Sequence, residues 1–281
     1  MHMYGWGSGY MAYGRAGLAV IGLMAAAQPA KAQLVTNGNF TTVVNGYNST
    51  EIGLSNTNGT NTGSTTVSGW NANGGYNFLF YPGTADLTGA NQGSGYTANC
   101  YYGKGCGSNL YLWGPNTGGV GKGPQNGMPS TDPGGGNFIA MDGDYNTHPM
   151  TQTITGLTKG TVYALSFYYA FAQQAGYTGA TMQNLTASLG TSSQSVGVYN
   201  LPSEGFSGWQ YETFYFEATS NTGSEVLSFL ASANVQLPPF ALLADVSMVA
   251  APEPATWGML AVGLAGVLGA ARMRRTRKVV V

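Results

Sequence analysis

The sequence predicts an all-β sandwich lying between two targeting segments, and three observations predict it. Only 7% of the 281 residues are charged while 44 are Gly, so the Lys-, Glu- and Ala-rich composition of helices is missing. Aromatic residues make up 12%, too many for a disordered chain, and the frequent Tyr, Phe, Val and Thr suit strands. Large apolar residues of the C-terminal half recur at every second position, the period of a strand with one buried face.

In chain order, the first element is an address. Arg15 is followed by the apolar run AGLAVIGLMAAA from Ala16 to Ala27, as long as a signal-peptide core and too short to span a bilayer. Ala30-Lys31-Ala32 then supplies the small residues a signal peptidase needs, which predicts cleavage between Ala32 and Gln33. The stretch before Arg15 carries no Lys and is long for such a leader, so Met11 is an alternative start. The expected organisation is a signal peptide at 1–32, a sandwich at 33–250 and a sorting segment at 251–281.

Within the body, TVYALSFYYAFA (Thr161–Ala172) alternates Tyr163, Leu165, Phe167, Tyr169 and Phe171 with mostly smaller residues. MTQTIT (Met150–Thr155) sets Thr151, Thr153 and Thr155 on one side, and Gly156 with the following TKG marks a turn between these two strands. WQYETFYFEAT (Trp209–Thr219), EVLSFLASA (Glu225–Ala233) and PFALLADVSMVA (Pro239–Ala250) complete a regularly spaced series that fits a β-sandwich.

Pro82–Gly136 is different. Turn residues occur almost throughout, with one short strand candidate at Asn109–Trp113, which predicts long loops at one end of the sandwich. Cys100 and Cys106 are the only cysteines, and an even count on an exported chain favours a disulfide closing CYYGKGC. Tyr101, Tyr102, Tyr111 and Trp113 are then either a stacking platform for a sugar ring or packing residues that hold the loops down.

Asp142, Asp144 and Asn146 in DGDYN alternate like the first ligands of a calcium loop, but Thr147 and Thr153 stand where its Gly and Glu belong. An Asx turn is the simpler reading. GGVGKGP is no phosphate loop, because Gly123 follows Lys122 where Ser or Thr is required. His148 has no nucleophile-elbow motif to serve, and Glu212 and Glu217 fall on opposite faces of one strand, with Glu204 outside it, so a non-enzymatic chain is expected.

The last element is a second address. Pro252-Glu253-Pro254 opens this segment, and between Glu253 and Arg272 lie eighteen uncharged residues, which as a helix would measure about 27 Å, close to a hydrocarbon core of about 30 Å. Arg272, Arg274, Arg275, Arg277 and Lys278 follow, and the positive-inside rule keeps this cluster in the cytoplasm and the body outside. Between Gln33 and Ala251 only Lys104, Lys122 and Lys159 oppose ten acidic residues, leaving the body near −7 with no footprint for nucleic acid.

Two resemblances follow from these residues. Pro252-Glu253-Pro254, an apolar helix and an Arg cluster resemble a PEP-CTERM sorting signal. That resemblance implies an exosortase as partner, a Gram-negative host that makes exopolysaccharide, a transient inner-membrane anchor, and an envelope or matrix destination. LVTNGNF, VSGW, FIAMDGD, TQTITGLTKGTVYALSFYYA and ALLADVSM, spread over Leu34–Val249, resemble galactose-binding-like jelly-roll domains. This second resemblance implies a jelly roll; glycans are expected as partners through the loop aromatics. The resemblance also implies a structural calcium ion between an acid after the opening NGxF and Asp245, although Thr41 occupies the acid's place.

Overall fold

Alternation decides which segments become strands. In the computed structural model of the chain, the described residues are 32–45, 50–53, 55–56, 63–82, 110, 112–115, 123–234 and 237–252. All of them lie within one unit, Lys31–Val281. The first strands are short: β1 (Val43–Val44), β2 (Thr50–Glu51), β3 (Ser55–Asn56), β4 (Gly63–Ser64), β5 (Thr66–Val67) and β6 (Asn77–Phe80). Then come β7 (Phe138–Asp142), β8 (Met150–Thr155), β9 (Val162–Gln173), β10 (Thr181–Leu189) and β11 (Ser192–Ser195). The series ends with β12 (Tyr199–Leu201), β13 (Gln210–Glu217), β14 (Ser224–Ala233) and β15 (Pro239–Ala250). Among the described residues every regular element is a strand.

Two sheets carry the fold. One has the order β13-β9-β15-β7-β6-β2; the other runs β11-β10-β14-β8, with β12 also paired to β10. From β7 to β10, and again from β12 to β15, consecutive strands alternate between the sheets. Between them lies the main core. Leu165, Phe167 and Phe171 of β9 with Ala241, Leu243 and Met248 of β15 face Met150 and Ile154 of β8, Leu185 of β10, and Leu227 and Phe229 of β14. Phe167 meets Phe229 edge-on at 5.1 Å between centroids. Each of these Leu, Ile, Met and Phe side chains contributes about 1.5–3 kcal/mol by leaving water.

The opening NGNF turn closes one side of this core. Asn37 and Phe40 take left-handed backbone conformations (φ 51° and 55°), Phe40 packs on Trp70 at 5.3 Å, and the Trp70 N–H donates to the Asn37 carbonyl at 3.1 Å. Gly38 is required there, because a side chain would collide with the Val246 carbonyl of β15.

Strand β10 lies outside the expected series. Its inward row is Thr181, Gln183, Leu185, Ala187 and Leu189, and the first two are polar residues that the fold nevertheless buries. Gln183 tolerates burial by donating to the Ala172 carbonyl and to Thr181 Oγ1, each at 2.9 Å. Of the expected short strand at Asn109–Trp113, residues 110, 112 and 113 are described: Leu112 forms an isolated bridge with Gln174, and the Trp113 N–H donates to the Gln173 carbonyl at 2.9 Å.

Of the stretch 82–136, expected as end loops, residues 82, 110, 112–115 and 123–136 are described. Leu110, Leu112 and Met128 pack instead on the outer face of the six-stranded sheet, against Phe78, Phe80, Phe138, Phe240 and Leu242, as a second core. The reason is that β6 and β7 are buried on both faces, so their outward phenylalanines need a cover.

Candidate functional site

The outer face of the six-stranded sheet is divided. Its β6-β7 half lies under the strap formed by the described parts of 110–137, which Asn126 ties down through its amide, donating to the carbonyls of Trp113 (2.8 Å) and Glu204 (2.9 Å). Trp113, expected as one candidate stacking residue, is only 4% exposed and donates its indole N–H to the Tyr177 carbonyl at 2.7 Å. It anchors the strap and leaves no ring face open to a ligand.

The other half is open. Phe214 and Phe216 point into the main core, so Tyr211, Thr213, Tyr215 and Glu217 of β13 point outward. On neighbouring β9 the outward residues are Val162, Ala164, Ser166 and Tyr168. Register places Tyr211 beside Tyr168, Thr213 beside Ser166 and Tyr215 beside Ala164. Tyr211 is 60% exposed and Tyr215 57%, and Tyr168 packs on Tyr211 with 5.0 Å between centroids. Ser166 and Thr213 share a hydrogen bond of 2.9 Å and form a hydroxyl floor between the rings. Trp209, T-shaped against Phe138 at 5.6 Å, closes the strap side; its indole N–H is buried with no partner among the described residues. Sequence reasoning missed these tyrosines. The signal was present in WQYETFYFEAT, where alternation puts two Tyr opposite two Phe.

Beside this face β15 carries a bulge. Between Ala244 and Ser247 it has one residue more than its partner β9, so even-numbered residues face outward before the bulge and inward after it. Asp245, left-handed at φ 49°, leaves the ladder there. It faces Asp132 of the strap. Gly134 passes so close that any side chain would collide with the Asp245 carboxylate. Asp132 Oδ2 accepts the Gly134 N–H at 3.2 Å, while Asp132 Oδ1 and Asp245 Oδ2 are buried without a partner among the described residues. Burial, and then the charge of Asp245, push the Asp132 carboxyl up to about 6; burial raises Asp245 as well.

The two calcium expectations fall at different places: Asp142, Asp144 and Asn146 in one turn, Asp245 in the bulge of β15. Asp142 sits opposite Phe240, five residues along β15 and roughly 15 Å away. Its two oxygens accept the backbone N–H groups of Asp144 (3.2 Å) and Asn146 (2.7 Å), which is Asx-turn chemistry. Thr41, in the place of the family's acid, gives its hydroxyl to Asn39 at 2.9 Å. Among the described residues no three His, Cys, Asp or Glu side chains gather as a metal cluster. Asp132 and Asp245 bring two hard oxygen donors together, each with an orphaned buried atom, the donor type that Ca²⁺ or Mg²⁺ takes; Asp144 Oδ2 and Glu225 Oε2 are likewise buried without a partner among the described residues.

The remaining titratable groups are scattered. His148 Nδ1 is 2.9 Å from Asn146 Oδ1, Glu212 Oε1 accepts its neighbour Thr213 N–H, and Glu204 holds a left-handed turn (φ 59°). At the β2 edge, burial pushes the Glu51 carboxyl up to about 7, and burial with the charges of Glu51 and Asp142 pushes the Tyr76 phenol up to about 12. A shallow concavity of about 430 Å³ lies on the opposite sheet, lined by Gly69, Trp70, Asn71 and Thr151–Thr153, with no exposed aromatic or charged group.

Several expected features lie outside the described residues: Ala30 of the leader, Cys100 and Cys106, Tyr101, Tyr102 and Tyr111, Glu253 and Pro254, and Arg272, Arg274, Arg275, Arg277 and Lys278. Among the described residues no helix is long and apolar enough to cross a membrane. Ala32 is exposed, and Gln33 Oε1 accepts the N–H groups of Leu34 (3.0 Å) and Met248 (2.7 Å), fixing the start of the body to β15.

No curated protein matches the sequence. Residues 250–275 match the PEP-CTERM protein-sorting motif. The chain carries a PEP-CTERM sorting signal. Among solved structures it is similar to a carbohydrate-binding module of the CBM4 type, at 14% identity over 77% of this chain and 99% of that one, TM-score 0.30. It is also similar to the CBM22-1 xylan-binding domain of Paenibacillus barcinonensis Xyn10C, at 11% identity over 42% and 75%, TM-score 0.28. A third similarity is to the enzymatically active domain of bacteriophage CBA120 tailspike protein 4, at 13% identity and TM-score 0.27, over 41% of this chain. The chain spans 15% of that tailspike's length.

The PEP-CTERM motif starts inside the folded body. Its first residue, Ala250, is the last of β15 and pairs with Tyr163; Ala251 still donates its N–H to the Val162 carbonyl at 2.8 Å. Pro252 is the first motif residue exposed beyond the sheet.

Proposed function

We propose that this protein is an exported, non-enzymatic jelly-roll component of the cell surface or exopolysaccharide matrix of a Gram-negative bacterium. A signal peptidase cuts after Ala32 and an exosortase acts at Pro252-Glu253-Pro254. Until then an apolar helix anchors the chain and Arg272–Lys278 hold it on the cytoplasmic side. Its molecular role is adhesive, through weak glycan binding. The observation that supports this is the open tyrosine face: Tyr168, Tyr211 and Tyr215 over the Ser166–Thr213 hydroxyls. Tyrosine rings offer stiff apolar faces to the C–H side of a sugar at small entropic cost, and the hydroxyls meet its O–H groups. A Cys100–Cys106 disulfide presenting Tyr101 and Tyr102 belongs to the same reading.

The test is affinity electrophoresis of mature protein, recovered from envelope or medium, through gels containing the host exopolysaccharide. Retardation that disappears in Tyr211→Ala/Tyr215→Ala supports the reading; equal retardation of both proteins overturns it. Mass spectrometry of the same material checks the sorting claim, which an intact WGMLAVGLAGVLGAARMRR peptide would contradict.

A second reading, calcium-assisted glycan binding, is favoured by the orphaned oxygens of Asp132 and Asp245. The cation would neutralise the pair and tie the strap to β15 beside the tyrosine face.

A further inference from the structure

The sorting motif has no spacer. The last inter-strand bond of the body is made by Ala251, and at about 3.5 Å per residue the Pro252–Pro254 triplet ends within about 11 Å of the sheet. An enzyme that grips an extended peptide over about three residues on the body side of its cut needs roughly 10 Å of free chain there, which is all that the triplet supplies. The body adds little more by fraying. Val249 and Ala250 are half-buried, so only they and Ala251 can leave easily, whereas Met248 is fully buried. Met248 is also held from both ends of its peptide unit, its N–H by Gln33 Oε1 (2.7 Å) and its carbonyl by the Leu34 N–H (2.9 Å).

We propose that the end of the sandwich where β15 terminates is an interaction surface for the membrane-bound enzyme that reads the motif. This rests on the reading that the motif is processed. Two turns flank Ala251. The turn Gly156–Thr161 is joined to β13's exit by Gly160 N–H to Ala218 O (2.8 Å), and to the turn Ala218–Gly223 by Leu157 N–H to Gly223 O (3.0 Å). Thr158, Lys159, Gly160, Asn221 and Thr222 are exposed there, and Lys159 donates to Asn221 at 2.9 Å. Among the described residues, the acidic turns of Asp142, Asp144 and Glu204 lie at the other end, about 37 Å away along β15. Beside Lys159 this end also carries Glu217, exposed opposite Val162, and the buried Glu225 that clamps the Ala218–Gly223 turn, so its charge is mixed and its rim is rich in hydroxyls.

The experiment uses the full chain in its exporting host, with the fraction that has lost its sorting signal read by mass spectrometry. A small folded domain is inserted either into the Ser220–Thr222 turn or into the Asp144–Asn146 turn. Each is made with and without a Gly/Ser spacer of about ten residues between Ala251 and Pro252. The expected result is loss of processing only for the 220–222 insertion without the spacer, and recovery with it. Processing of that insertion at the unmodified level, or continued loss with the spacer, overturns the proposal. Where an inserted body fails protease resistance, Lys159→Glu/Asn221→Glu replaces it, with the same loss and the same rescue expected and the same two results overturning it. If the unmodified chain keeps its signal, the processing reading fails and this inference goes with it.

Discussion

Asp132 and Asp245 face each other where the strap crosses the bulge of β15, each with a buried carboxylate oxygen that no donor among the described residues reaches. Both carboxyls are raised in the folded protein, Asp132 to about 6. The native state therefore holds protons that the unfolded chain has released. Stability from this pair is present in full below the ordinary carboxylate range and is lost as pH rises from about 4 through 6. In chelator, the melting temperature should fall across that window. Calcium at about 100 times its Kd should restore about 2.7 kcal/mol at neutral pH, or roughly 5–10 °C. Asp132→Asn should raise the chelator value at pH 7 and remove the calcium response. Calorimetry with and without calcium checks both.

Glu51 gives a second, separable pH dependence. Burial alone raises its carboxyl to about 7, so its contribution fades as pH rises from the usual carboxylate range through about 7. Glu51→Gln should flatten the stability profile between about pH 5 and 7.5 and leave any calcium response intact. Urea melts at three pH values measure this.

The aromatic residues should separate by role. Tyr211→Ala and Tyr215→Ala remove exposed rings and should change stability by less than about 1 kcal/mol while weakening glycan retention. Trp113→Ala removes a buried ring and should cost about 3–5 kcal/mol. Paired denaturation and affinity-gel measurements distinguish the two patterns.

Glu225 offers a structural prediction. Its Oε1 accepts from the N–H groups of Thr219 and Ser220 (2.6 Å each) and from Thr219 Oγ1 (3.0 Å), clamping the turn between β13 and β14. Glu225→Ala should cost about 2–4 kcal/mol, read from the urea midpoint, without altering glycan retention.

What could be read from sequence follows from how each element is coded. Strand β9 shows regular alternation of large apolar residues, and the boundaries of β8, β9 and β15 in the structure match or lie within a residue or two of the expected ones. β10 was hidden because its inward row opens with Thr181 and Gln183, whose burial depends on partners from other strands. The strap was hidden because its apolar residues are few, Leu110 and Leu112 in one short NLYLW stretch and Met128 alone, among Gly, Pro and Asn. Asp132 was unreadable as well: in STDPGGG it looks like a turn former, and only the bulge at Asp245 gives it a partner. Tyr211 and Tyr215 were legible as outward-facing, but which sheet face stays uncovered depends on where the strap lies.

The position of β15 has a consequence for the order of events during export. It is an interior strand of the larger sheet, between β9 and β7, yet it is the last strand of the body in sequence. A chain threaded across a membrane N-terminus first brings out both neighbours long before it. Until Met248 has emerged, β9 and β7 have an open gap between them and the core lacks its floor. Only a few residues then remain before the motif itself reaches the membrane, so completion of the fold and arrival of the sorting signal coincide.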